Sequence, residues 1–179
     1  MVFALALGNL SLSAALFFHE YGSARTPLLS TWTLARQCQG AAWLLLYFRA
    51  TGVVPDPLAI PAGYTLLFAG VALEAGALWE AAGQAHWRRL YYPALGVAVA
   101  LFLACYFIDE LGLRMVSGAL ILGALYLSAA AALASRWRGG SMLRRFLAVA
   151  VALLALVVAA RGMMVLSTWQ SWGWLSSAM

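Results

Sequence analysis

Lysine does not occur in this chain, and charge of either sign is scarce. All 11 basic residues are arginine, 6 residues are acidic, and charged residues make up 9% of the 179. So few charges cannot coat the surface of a soluble globule of this length. Also missing is the polar/apolar alternation, in segments of about ten residues, that a transmembrane barrel needs for its lumen face. There is no glycine-rich phosphate loop, and the scattered Ser and Thr residues offer no nucleophile with a base and an orienter, so no catalysis is expected within this chain. No basic run is long enough to suggest nucleic acid, and the net charge of +5 reads as a topology signal beside an anionic leaflet. No folded soluble domain, low-complexity tail or long linker interrupts the chain. No internal 3+3 repeat is visible either, which weighs against a transporter.

What fills the chain is apolar: hydrophobic residues are 65% of it. A bilayer core about 30 Å thick needs roughly 20 apolar residues per helix. Stretches near that length lie at Val2–Phe18, Thr31–Phe48, Leu58–Ala82, Leu90–Ile108, Leu113–Ser135 and Leu143–Leu166. The sequence therefore predicts an all-α polytopic membrane protein, a single domain built as a compact bundle of six transmembrane helices, with the lipid bilayer as its first partner. The first stretch lacks a basic n-region and a clear cleavage pattern, so it reads as a helix and not as a signal peptide. The longest turns, His19–Ser30 and Arg49–Pro57, contain EYGSARTP and TGVVPDP, where Gly and Pro stop helices. Gly70, Gly76, Gly118 and Gly123 suit close approach of helix backbones, the usual packing device in membranes.

Arginine placement sets the orientation. Arg25, the Arg88 and Arg89 pair, and the Arg136, Arg138, Arg144 and Arg145 cluster fall in alternate turns, which positive charge places inside. The N-terminus is then outside a bacterial inner membrane. The C-terminal segment also comes out on the outer side, where Trp169, Trp172 and Trp174 suit the interface. On this topology Cys38 and Cys105 lie near opposite faces of the membrane, too far apart to bridge. His19 and His86 both fall on the inner side, which leaves a haem or metal pair geometrically possible, but two lone histidines at interfacial positions are usually only that, so neither a metal nor another cofactor is expected.

Ionisable residues inside the stretches are the informative ones, because a charge in hydrocarbon costs roughly 2.5–3.5 kcal/mol on insertion scales and needs a partner or a wet cavity. Arg36 and Glu74 sit at similar depth, a few turns from the inner ends of the second and third helices, and antiparallel neighbours would pair them. A second group gathers at the outer end: Arg49, Asp56, Asp109, Glu110, Arg114 and Arg161. Three arginines from three helices can hold an anionic small-molecule signal, since guanidinium groups bind carboxylate or phosphate bidentately. An ion-pair network closing the bundle is the competing expectation.

The order of these residues resembles a known family. The run WTLARQCQGAAWLLLYFRATGVVPDPLAI at Trp32–Ile60, followed by GYTLLFAGVALEAGALWEAAG at Gly63–Gly83, is similar to the N-terminal membrane region of bacterial GGDEF proteins, the diguanylate cyclases. The landmarks are Arg49, Pro55, Asp56, Leu58, Ile60, Leu66, Leu67 and Gly70, continued by Arg114, the turn SRWRGGSMLRR and Arg161. The resemblance implies a sensory module that passes a signal to cyclic-di-GMP synthesis. In that family a seventh helix leads into a cytoplasmic cyclase domain, and neither that helix nor a GG(D/E)EF sequence lies in these 179 residues. The output is then supplied by a further domain or by a partner membrane subunit, and a homodimer is a further expected association. The alternatives are a small non-catalytic subunit of a larger membrane complex and a small-molecule transporter.

Overall fold

The computed structural model describes residues 2–22, 27–84, 86–108, 111–135 and 141–177, with side chains for all of these but 2, 19–22, 27–28, 111 and 168–177. Six helices follow one another: α1 (Val2–Gly22), α2 (Pro27–Ala50), α3 (Asp56–Ala81), α4 (Trp87–Phe107), α5 (Leu111–Ala134) and α6 (Met142–Ser177). No strand occurs among the described residues. Ala- and Leu-rich segments favour helix intrinsically, and a helix also satisfies its own backbone where no water is present.

Helix ends follow local chemistry. Pro27 opens α2 at a position where its missing N–H costs nothing. Pro55 caps α3 in an extended conformation, and the carboxylate of Asp56 in the first turn faces the positive end of the helix dipole. α2 and α3 stop in the same way. Gly52 and Gly83 take positive φ, 78° and 92°. After them, the N–H of Val53 donates to the Phe48 carbonyl at 3.0 Å and that of Gln84 to the Trp79 carbonyl at 3.0 Å. These are Schellman turns, for which a residue lacking Cβ is best suited.

Four helices are long and apolar enough to cross a membrane: α3, α4, Gly112–Ala134 of α5 and Met142–Ser167 of α6. The apolar part of α1, Phe3–Phe18, is shorter. α2 carries Thr31, Thr33, Arg36, Gln37 and Gln39 close together, which lowers its hydropathy. Helix bounds also differ from the apolar runs. α6 continues past Leu166 to Ser177 and α1 past Phe18 to Gly22, whereas α2 starts before Thr31. Hydropathy marks how far a helix is immersed, and no proline lies between Leu166 and Ser177 to end α6 where its apolar run ends.

Packing divides the chain into two compact units, Met1–Leu95 and Gly96–Met179. The division falls inside α4, just past Pro93, whose ring withdraws the N–H that would bond the Arg89 carbonyl. In the first unit α2 packs against both α1 and α3. Small residues bring these helices together: Ala6, Ala35, Ala42, Ala59 and Ala75 are fully buried. At Gly70 a Cβ would stand 2.8 Å from the Ala35 carbonyl oxygen, so only glycine permits this approach of α3 to α2. Trp87, 5% exposed, lays its indole over Gly76 and donates its N–H to the Glu80 carboxylate at 3.0 Å, fixing the start of α4 to the end of α3.

In the second unit α5 packs on α6. Arg144, in the first turn of α6, donates Nε to the Leu133 carbonyl at 3.0 Å and Nη2 to that of Ala132 at 3.2 Å. A cation placed on the last carbonyls of α5 satisfies acceptors that the helix cannot, and it opposes the negative end of the dipole.

Candidate functional site

α1, α2 and α3 enclose one hydrogen-bonded polar cluster. Arg36 and Gln39, three residues apart, share a face of α2. Glu74 lies one turn beyond Gly70 on α3, where the two backbones already touch. Arg36 Nη2 donates to Glu74 Oε1 at 2.5 Å, and Gln39 Nε2 donates to Glu74 Oε2 at 2.8 Å, so each carboxylate oxygen accepts a bond. Arg36 Nη1 reaches Gln39 Oε1 at 3.1 Å and Asn9 Oδ1, on α1, at 3.2 Å. Asn9 in turn donates to the Leu5 carbonyl at 2.9 Å.

The charged side chains are 23% exposed for Arg36 and 20% for Glu74, and Gln39 is buried. The cluster is neutral overall. Two enclosed donors on α2, Arg36 Nε and, one turn earlier, Trp32 Nε1, meet no acceptor among the described residues. An ion pair set among helices adds little stability over apolar filling of the same volume, because desolvation offsets the attraction. What it does supply is registry, since rotating or sliding α2 would break bonds to α1 and α3 at once. Asn9 and Gln39 were not among the residues selected from the sequence. Their signals were present: Asn9 is the chain's single asparagine, in an apolar run, and Gln39 lies three residues from Arg36.

The residues expected at the outer end are distributed over both units. Arg49 Nε donates to Asp56 Oδ1 at 2.9 Å and Nη2 to Oδ2 at 3.3 Å, a bidentate pair tying the end of α2 to the start of α3 across the Gly52 turn. With side chains 42% and 62% exposed, such a pair is screened by solvent and adds little stability. In the second unit the Arg114 guanidinium lies 4.4 Å from the Tyr106 ring centre, a cation–π contact from α5 to α4. Arg161 is exposed on α6. Asp109 and Glu110 lie outside the described residues. The structure thus brings together Arg36 with Glu74 and Arg49 with Asp56. His86 is exposed, the His19 side chain lies outside the described residues, and no three His, Cys, Asp or Glu gather as metal ligands among those described.

The architecture defines the class: an all-helical protein with four helices apolar enough to span a membrane. Comparison with protein-family models, with curated proteins and with solved structures finds no match to this chain.

Proposed function

We propose that the chain crosses the bacterial inner membrane six times, N-terminus outside, and acts as the signal-input module of a GGDEF-type signalling protein, with no catalytic machinery of its own. The observation that carries this reading is the Asn9–Arg36–Gln39–Glu74 cluster. Charged groups within membrane helices are costly and mark functional sites by default. This cluster joins three helices through bonds that hold or fail together, so its helices have a bonded arrangement and a released one. A signal that binds the two with different affinity shifts their populations, which is all that transmission requires.

The landmarks of the resemblance at Arg49–Gly70 support the same reading, because several of them have a place in the α2–α3 hairpin. Arg49 is bonded to Asp56, Pro55 caps α3, and Leu67 and Gly70 are buried. α2 enters the bilayer on this reading because Glu74 of α3 neutralises its Arg36. The second reading, a non-catalytic subunit of a larger membrane complex, draws on exposed apolar residues such as Leu90, Val97 and Leu101 on α4 and Leu153, Leu156 and Val157 on α6. Lipid covers those faces equally well.

Two measurements test the proposal. In a chain with Cys38 and Cys105 replaced by alanine, a cysteine introduced at Gly140 is expected to react with an impermeant maleimide only after lysis. Reaction in intact cells overturns the orientation. For output, the chain is joined in place of the membrane region of a diguanylate cyclase, and cellular cyclic-di-GMP is measured at matched protein abundance. Arg36→Gln and Glu74→Gln are expected to change that level in the same direction. Output identical to the unsubstituted fusion in both variants ends the sensory reading.

A further inference from the structure

From Leu111 to Met179 the sequence carries Arg114, Arg136, Arg138, Arg144, Arg145 and Arg161, and not one Asp or Glu. No carboxylate within that stretch neutralises this charge. Arg144 does not dissipate it either: its two bonds go to neutral carbonyls and use two of the five guanidinium donors. Arg145 follows it, exposed, in the first turn of α6.

Directly beside these arginines the α5–α6 pair opens into a wholly apolar groove of about 280 Å³. Leu127, Ala130, Ala131 and Ala134 of α5 form one wall, and Ala148 and Val149 of α6 belong to the other. Ala148 lies one turn beyond Arg144, and Val149 one turn beyond Arg145, so the basic groups stand at the groove's end. Alanine leaves the groove open where leucine would fill it. From Ala134 to Leu127 it runs about 10 Å along α5 at 1.5 Å per residue, roughly one third of a bilayer core about 30 Å thick.

We propose that this groove and its two arginines form a binding site for an anionic phospholipid, with the phosphate on Arg144 and Arg145 and the upper part of one acyl chain along the alanines. The inference rests on the membrane reading of the chain and goes beyond the sensory one. Its support is complementarity on two counts. Arginines that lack a carboxylate in their own hairpin meet a phosphate, which guanidinium groups bind bidentately. An apolar trough that starts at headgroup level and ends within the core has the depth of an acyl chain. A zwitterionic lipid fits the groove but does not remove the excess charge, and anionic lipids supply the field that attracts such basic clusters.

The test uses the full chain purified in detergent and titrated with phosphatidylglycerol or with phosphatidylcholine of the same acyl chains, bound lipid being counted by native mass spectrometry. Phosphatidylglycerol is expected to be retained at roughly thirtyfold lower concentration, the combined effect of two arginines near a headgroup. Arg145→Gln should reduce that preference several-fold without changing phosphatidylcholine retention. Ala131→Phe, at an exposed position where the larger side chain fills the groove without entering the core, should reduce retention of both lipids. Excess inorganic phosphate should not displace the lipid, which separates the site from a simple anion site. Equal retention of the two lipids, or unchanged phosphatidylglycerol binding in both variants, overturns the site. A chain that stays dispersed in water without detergent instead overturns the membrane reading.

Discussion

Glu74→Gln is expected to lower the stability of this protein by about 3–5 kcal/mol, and Arg36→Gln by a similar amount, whereas the double variant costs far less than their sum. Either single change leaves one charge without its counter-charge among α1, α2 and α3. The amide partners Gln39 and Asn9 can still bond, but they cannot neutralise it. Side chains that are 23% and 20% exposed retain some solvent contact, which places the expected cost toward the lower end of that range. The double variant removes both charges, and its amides can bond one another. Thermal unfolding of the four proteins in one detergent gives the cycle. Strict additivity would show that Arg36 and Glu74 are uncoupled, and it would remove the basis for a two-state arrangement of these helices.

The second large effect concerns Trp87. Trp87→Ala should cost about 3–5 kcal/mol, because it empties a nearly closed site and leaves Glu80 without its indole donor. The site lies at the junction of α3 and α4, so the aqueous scale for large-to-small substitution applies. The Gly76 partner makes a more discriminating experiment. A Cβ at Gly76 would stand inside the indole's van der Waals envelope, so Gly76→Leu alone should destabilise by about 1–3 kcal/mol. In the Trp87→Ala background the same leucine has room and should restore part of the loss. A change of sign between the two backgrounds is the expected result. Loss of stability in both would show that the ring does not rest on Gly76.

The helices were readable as apolar runs because Ala- and Leu-rich stretches of this length have few other solutions. Their ends were less readable. Hydropathy falls at Leu166 although the backbone of α6 stays helical to Ser177, since what leaves the membrane need not leave the helix. Similar depth in antiparallel neighbours was enough to select Arg36 and Glu74, because charge in an apolar run stands out. Asn9 and Gln39 carry no charge, so their signals, a lone asparagine in an apolar run and a glutamine three residues from Arg36, are weaker than those of the charged pair. Arg49 and Asp56 bracket one short turn and were grouped together from the sequence. The Tyr106 ring under Arg114 was not selected, since a cation–π contact leaves no spacing signature that separates it from any other aromatic in a helix.

The Arg36–Glu74 bond also bears on the order of biogenesis. As α2 emerges from the ribosome it carries Arg36, Gln37 and Gln39 in one short stretch, and an arginine at the centre of a lone helix opposes insertion by roughly 2.5–3.5 kcal/mol. α3 is apolar enough to partition by itself and carries the carboxylate that cancels the charge. On the proposed six-span topology, α2 would commit to lipid only when α3 follows, the two entering as a hairpin closed over the Gly52 turn. The unit of insertion is then a pair of helices, and translation past Glu74 is the step that makes it complete.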